Sequence, residues 1–214
     1  MRWFVHARSR RVLRRRRVSE VKAGNFAWAR TELQAASIAD HDSSSPTDLA
    51  SAVAEELGEG RPVALGFECP LFVPVPTEDI ALGAGRSGEG NRAWSATAGA
   101  GALATGLAQA AWVLGAIRAR CPDEQLHLEW PPFAAERSGL LVWEAFVSAD
   151  AKGSSHVDDA TIALAAFSAA LPDPAVASTI TAERPLSLAG AVGLWSGRLD
   201  DPVALHRTPL VIRA

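Results

Sequence analysis

The 214-residue sequence contains no tyrosine, a single methionine and only two cysteines, Cys69 and Cys121. Two cysteines at this spacing form neither a metal motif nor a disulfide framework, so we expect no disulfide and a reduced, cytoplasmic setting. No run of about 18 apolar residues is present, which predicts that the chain does not span a membrane. The hydrophobic fraction of 48% is ordinary for a globular protein, and the length suits one domain.

Acidic residues are nearly absent from the first 22 residues, where nine lysines and arginines accompany one acid, Glu20, while the remaining chain has a net charge of −11. No apolar segment follows the arginines, so they do not belong to a secretory signal peptide. The basic segment can bind nucleic acid, dock on the acidic body, or be an artefact of the translation start. We predict an irregular basic tail over residues 1–17 and a single domain over 18–214.

Strand and helix signals alternate along the domain. The residue pattern predicts strands within 18–36, 61–68, 126–130, 140–147 and 209–212, with a further extended piece near 36–39. It predicts helices within 46–57 and 95–120 and a third that begins after Ser155. This order indicates an α/β protein, in which a mixed sheet of about five strands has helices on both faces and residues 172–214 form a C-terminal extension packing on it.

One strand signal ends on an acidic residue. The apolar run Val63–Phe67 is followed by Glu68, and Pro70 then blocks further regular structure. Such a run is typical of a buried central strand, and open α/β sheets place ligands and catalytic groups at the carboxyl ends of their strands. Glu68 is therefore a metal ligand, an acid–base group, or a charge turned outward at a strand end.

Three further acids lie at the ends of predicted elements. Glu129 ends a strand, whereas Asp158 and Asp159 lie in the first turn of a helix. An acid at this position is also stabilised by the helix dipole. If these carboxylates and Glu68 meet, they repel one another unless they are protonated or bridged by a hard cation. A cluster of this kind predicts a site for Mg²⁺ or Mn²⁺, and two such ions can clamp the attacking and leaving oxygens of a phosphodiester.

The long segment 69–94 combines prolines and glycines with two arginines, and loops of this length are functional or disordered. Arg86 and Arg92 can each hold a phosphate in a bidentate manner. Alternatively, they are surface arginines that pair with Glu89. A formal G-x-G-x-x-G match at residues 83–88 is discounted, because no strand precedes it and the long helix starts too far after it.

The order of these motifs resembles DUF429, a family of predicted nucleases with a ribonuclease H-like fold. The resemblance spans residues 18–170 and is carried by Asn25–Ala29, Gly66–Leu71, Arg86 to Ser95, Leu128–Pro131 and His156–Ala160 with Ala163. It implies a ribonuclease H-like mixed sheet, a divalent metal ion as cofactor, and hydrolysis of phosphodiester bonds in nucleic acid.

The resemblance also implies roles for the acids. It makes Glu68, Asp159, Asp158 and Glu129 the catalytic candidates, with Glu68, Asp159 and Glu20 as metal ligands. The family usually has an aspartate where this chain has Glu68, one methylene longer. The expected first-strand acid falls near Lys22 in this sequence, which leaves Glu20 as the nearest candidate.

The sequence therefore predicts a divalent-metal-dependent nuclease with Arg86, Glu89 and Arg92 as substrate-binding residues. Two alternatives remain open. If Glu20 does not reach the acid cluster, the chain is a catalytically decayed ribonuclease H-like binding or scaffold protein. In the other alternative, the protein is an enzyme that acts on a small nucleotide-like substrate held in the loop over residues 70–94.

Overall fold

A computed structural model describes residues 2–8, 26–32, 45–90, 93–96, 99–147 and 151–214. These residues form an α/β fold with a mostly parallel sheet flanked by helices, as the sequence predicts at this level. Predictions for Glu20, for Arg92 and for the extended piece near 36–39 lie outside the described residues.

The described strands are β1 Arg2–Arg8, β2 Phe26–Glu32, β3 Val63–Phe67, β4 Phe72–Pro74, β5 Leu126–His127, β6 Leu140–Phe146, β7 Pro185–Ser187 and β8 Val211–Arg213. The helices are α1 Pro46–Gly58, α2 Ala100–Arg120, α3 Trp130–Glu136, α4 His156–Ala169, α5 Pro174–Ala177 and α6 Leu188–Trp195. Helices connect the parallel strands, because a parallel pair requires a long crossover.

The main sheet has six strands in the order β2-β1-β3-β6-β5, and β8 also pairs with β6. Strands β1 and β2 are antiparallel, whereas β1 pairs parallel with β3, β3 with β6, and β6 with both β5 and β8. The carboxyl ends of β1, β3 and β6 therefore lie at one edge of the sheet. Glu68 follows β3 at this edge, where open α/β sheets bind their ligands.

The start of the chain differs from the prediction. Residues 1–17 were expected to be an irregular tail, but Arg2–Arg8 form β1, an inner strand between β2 and β3. The prediction is wrong for these residues. The aromatic and β-branched run Trp3–Val5 favours a strand, but it is short and lies in an arginine-rich segment, which indicates an irregular tail. This strand pairs with β2 in antiparallel fashion.

Each face of the sheet carries its own apolar core. Successive residues of a strand point to opposite faces. Leu65 and Val142 accordingly belong to the core with α1 and α2, whereas Leu141 and Trp143 belong to the core with α3 and α4. Every residue of β3 is buried, as expected for a strand covered on both faces.

Helix α2 is long and apolar. Among the described residues it is the one helix that could cross a membrane by length and composition, with a mean hydropathy of 1.5 in its most apolar window. It packs against α1 and α6, and its buried residues are Gly106, Ala110, Val113, Leu114 and Ile117. This composition is weak evidence for a membrane span, because core helices of soluble proteins share it.

The second half of the chain refines two predictions. The strand expected over 126–130 ends at His127, and α3 begins at Trp130 with Pro131 in its first turn, where a missing N–H is tolerated. The apolar run at 209–212 contributes to β8, which pairs with β6. Residues 172–214 thus supply a strand to the main sheet, and β7 also pairs with β4.

Gly66, in the centre of β3, is a position where the fold has no room for a side chain. A Cβ atom there lies 2.6 Å from the fully buried indole of Trp143 on β6. We expect Gly66→Ala to lower the free energy of unfolding by about 1–3 kcal/mol, since the indole has to shift. Urea denaturation measures this loss.

Gly115→Ala is the matched control, because its new Cβ meets nothing within 4 Å. It lies inside α2 and should raise the stability by about 0.5–1 kcal/mol. Equal unfolding midpoints for wild type and Gly66→Ala would contradict the close contact between β3 and Trp143.

Candidate functional site

Glu68 and Asp159 meet at the carboxyl edge of the sheet although they are remote in the chain. Glu68 follows β3, and Asp159 lies in the first turn of α4, which Ser155 caps. The two residues are 4% and 3% exposed. Two carboxylates buried side by side repel each other unless a cation lies between them or one is protonated.

Lys152 supplies that cation. Its Nζ donates to Oε1 of Glu68 at 2.7 Å and to Oδ2 of Asp159 at 3.1 Å. Burial disfavours the charge of Lys152, but the two carboxylates outweigh it and raise the pKa of the ammonium group above its usual value. Glu68, Lys152 and Asp159 are named below the carboxylate–lysine cluster.

The surroundings of the cluster are partly open. The side chain of Lys152 is one-third exposed, and its Nζ lies 6.0 Å from the ring centre of Trp94. Nδ1 of His156 lies 3.9 Å from Oδ2 of Asp159, whose Oδ1 accepts a hydrogen bond from the N–H of Gly153 at 2.8 Å. Solvent therefore reaches the cluster from the side of the lysine, while Asp159 is held in position.

The donor set of the cluster fits a hard divalent cation. Mg²⁺ is often bound through one or two carboxylates, with waters completing its coordination. Glu68 and Asp159 place two carboxylate groups of this kind next to each other. Among the described residues, no group of three or more His, Cys, Asp or Glu side chains is arranged to hold a metal ion.

The other predicted acids have separate partners. Glu129 precedes α3, and its Oε2 lies 3.7 Å from Nε of Arg207, with both side chains nearly half exposed. Asp158 forms a capping box with Ser155 and also accepts from the hydroxyl of Ser154. These hydrogen bonds, that from Ser154 first, lower the pKa of Asp158. The contacts are those of a surface ion pair and of a helix cap.

A second charged cluster is completely buried. Nη1 and Nη2 of Arg86 donate to the two oxygens of Glu144, each at 2.6 Å, and Nη2 also donates to Glu89 at 3.0 Å. All three side chains are inaccessible to solvent. Burial disfavours the charge of Arg86, but Glu144 and Glu89 outweigh it and raise the pKa of the guanidinium. In Glu144 the effect of burial prevails over the opposing effect of Arg86, and the pKa of this carboxyl group is raised.

This buried cluster fixes the long loop on the sheet. Glu144 lies on β6 and accepts from the N–H of Leu71 at 2.9 Å. Glu89 accepts from the N–H groups of Trp94 and Ser95, at 2.7 and 2.9 Å, and from the hydroxyl of Ser95. Both ends of the loop are therefore tied to charges that are themselves held by Arg86.

One side chain of the fixed loop, that of Trp94, borders the candidate site. The ring centre of Trp94 lies 4.9 Å from that of Phe146, at the end of β6, and Nζ of Lys152 lies 6.0 Å from the Trp94 ring centre. The buried cluster therefore holds in place the aromatic side chain that borders the carboxylate–lysine cluster.

The structure places two predicted substrate-binding residues, Arg86 and Glu89, in the interior. Carboxylates occupy both Nη atoms of Arg86, so a phosphate could reach this guanidinium only after the loop opened. The alternative reading, in which the arginine pairs with Glu89, agrees with the observed contact. The pair is buried, however, rather than exposed on the surface.

Sequence reasoning missed Lys152, Trp94 and Glu144 as members of these clusters. Lys152 is one of two lysines in the sequence and precedes the helix start that carries Asp159. Glu144 is an acid inside an apolar strand, which by itself indicates a buried partner. Its partner Arg86 is 58 residues away, and no local pattern connects the two.

Comparison with known proteins does not assign the chain to a family. No family model matches it, and no curated protein or solved structure matches it significantly. The resemblance to DUF429 therefore stays a prediction that rests on the sequence motifs.

Arg86→Met tests the buried cluster. We expect it to lower the free energy of unfolding by about 3–5 kcal/mol, because it leaves the charge of Glu144 buried without its partner. Urea denaturation again provides the measurement. The double variant Arg86→Met/Glu144→Leu should recover part of the loss, since it also removes the uncompensated charge.

Arg61→Met is the control for a more exposed arginine. Arg61 pairs with Glu56, but its own side chain is 35% exposed, so its loss should lower the stability much less than the loss of Arg86. If Arg86→Met and Arg61→Met destabilised the protein equally, the buried pair would have no special importance.

Proposed function

We propose that this protein is a divalent-metal-dependent phosphodiester hydrolase with a ribonuclease H-like fold, and that it acts on nucleic acid. The observation that carries the proposal is the convergence of Glu68 and Asp159 on one cationic group at the carboxyl edge of a parallel sheet. Carboxylates gathered in this way favour a bound cation. Open α/β sheets use this edge for ligands.

The order of the elements supports the proposed fold. An antiparallel hairpin, β1 and β2, is followed by α1, and then by β3, α2, β5 and β6, and α4. This agrees with the predicted succession of extended segments followed by alternating helices and strands.

The facing ends of β1 and β2 support a polyanionic substrate. β1 ends at Arg8 and β2 begins at Phe26, and these two residues are paired across the hairpin. Since β1 runs parallel to β3, the chain leaves and re-enters the sheet at the edge where Glu68 lies. The connecting residues 9–25 carry seven lysines and arginines and one acid. Such a charge favours binding to the phosphate backbone of nucleic acid.

In this proposal Glu68 and Asp159 are the residues that would hold the metal. When bound, a divalent ion polarises a phosphoryl oxygen and lowers the pKa of a bound water. The hydrogen bond from Gly153 to Oδ1 fixes Asp159 so that its Oδ2 stays directed toward the cluster.

A binding protein on the same fold is the second candidate. It is favoured by Lys152, which already pairs with both carboxylates, and by β1, whose residues Arg2–Arg8 include no Asp or Glu. The DUF429 resemblance implies an acid in the first strand. Without that acid, the carboxylate–lysine cluster would be a structural ion triad, and nucleic acid would be bound without being cleaved.

Cleavage assays with Mg²⁺ and Mn²⁺ on single-stranded, duplex and branched DNA and RNA separate these candidates. We expect cleavage by the wild-type protein and a loss of at least about 10–100-fold in Glu68→Gln and in Asp159→Asn, because each removes one ligand charge while keeping the shape. Glu78→Gln, at an exposed position, should keep full activity. Absence of cleavage, together with no binding of Mn²⁺ at millimolar concentrations in calorimetry, would exclude the hydrolase and favour the binding protein.

Replacing Arg14–Arg17 by serine tests the nucleic-acid partner. We expect weaker binding of single-stranded and duplex oligonucleotides, with the slope of log K against log salt reduced by roughly 0.9 for each arginine that contacts a duplex phosphate. Fluorescence anisotropy over a range of salt concentrations measures both quantities. As a control with the same charge change, four exposed arginines elsewhere are replaced by serine: Arg120, Arg137, Arg184 and Arg207. An equal loss in the control would show that net charge, rather than the basic segment, determines the affinity.

A further inference from the structure

Lys152 occupies an unusual place for a lysine, because its ammonium group contacts two almost fully buried carboxylates while its side chain remains one-third exposed. It lies in the short segment before α4, next to Gly153, which binds Asp159 separately. Glu68 follows a strand that is buried throughout, and Asp159 belongs to a helix. The lysine is therefore the member of the cluster that can move with the least change in the fold.

We infer that Lys152 is an exchangeable internal counter-ion, which holds Glu68 and Asp159 together in the metal-free protein and is displaced when a divalent cation binds them. The displacement rests on the proposed function, whereas the role in the metal-free protein does not.

Geometry supports an exchange between the two cations. The ammonium group lies 2.7 and 3.1 Å from the carboxylate oxygens of Glu68 and Asp159. Mg²⁺ binds such oxygens at about 2.0–2.1 Å. Both cations would use the same oxygens and would repel each other across a few ångströms. A divalent ion thus enters as the ammonium group leaves.

The type of residue also supports an exchange. Lysine carries a compact, strongly hydrated charge on a flexible stem, whereas arginine forms rigid bidentate pairs. The molecule contains both arrangements. Arg86 is locked between carboxylates with no exposure of its side chain, while Lys152 reaches its carboxylates from a partly exposed position. The exposed side offers the ammonium group a path into water.

Metal affinity tests the exchange. Isothermal titration with Mn²⁺ should give about tenfold tighter binding to Lys152→Met than to the wild-type protein. In the variant, the metal no longer competes with the ammonium group for the two carboxylates. Lys152→Arg keeps the positive charge and should not gain affinity. If wild type and Lys152→Met bind Mn²⁺ equally, the exchange is refuted.

Acylation of the wild-type chain gives a second readout that does not depend on the folding of a variant. Acetic anhydride labelling, followed by mass spectrometry, reports the accessibility of Lys152, with an added lysine-containing peptide as the reference. We expect Mn²⁺ to accelerate labelling of Lys152 about tenfold, the factor that corresponds to about 1.4 kcal/mol of lost pairing. An unchanged rate in the presence of bound Mn²⁺ would refute the displacement.

Glu68→Gln, labelled without metal, separates the two parts of the inference. It should also accelerate labelling of Lys152, because one of the two carboxylates that hold the ammonium group is gone. An unchanged rate would overturn the counter-ion role. If no variant binds Mn²⁺, the proposed hydrolase and the displacement fail together, but faster labelling in Glu68→Gln would still establish the counter-ion.

Discussion

The structure depends on how it compensates a charge that lies inside its central sheet. Glu144 is fully buried on β6, and only a well-fitted partner makes a charge tolerable there. Arg86 supplies this partner from the long loop, with two hydrogen bonds of 2.6 Å. The loop is thereby bound to the sheet, and Trp94, held through Glu89, is placed beside the candidate site. An ion pair in the core thus positions an aromatic side chain beside the candidate site.

The carboxylate–lysine cluster applies the same rule closer to the solvent. Here, too, the fold brings buried carboxylates together, and they pair with a cation that is distant in the chain from Glu68. The difference lies in the cation. A guanidinium group without exposure gives a fixed scaffold, whereas an ammonium group on a partly exposed side chain gives a site whose occupant can change. The molecule therefore combines a rigid, buried pair, Arg86–Glu144, with a partly exposed pairing of Lys152 to its carboxylates.

Several parts of this arrangement follow from local sequence patterns. The apolar run before Glu68 and the proline after it mark a buried strand with an acid at its carboxyl end, and β3 has this form. Ser155 marks the start of α4, which places Asp159 in the first helical turn. By contrast, β1 was missed because arginines surround its short apolar run, and an inner strand is selected by its pairing with two neighbours rather than by its own composition.

Local patterns in the chain suffice for the α/β class, for the end of β3 and for the start of α4, and hence for two acids at element termini, because hydrophobic periodicity, proline and capping act over a few residues. Which charges meet depends on the fold as a whole. Glu68 with Lys152, and Arg86 with Glu144, are pairs separated by 84 and 58 residues. Such contacts arise because the parallel order places the carboxyl ends of the strands at one edge of the sheet. The free energy of burying a charge then selects its partner in space.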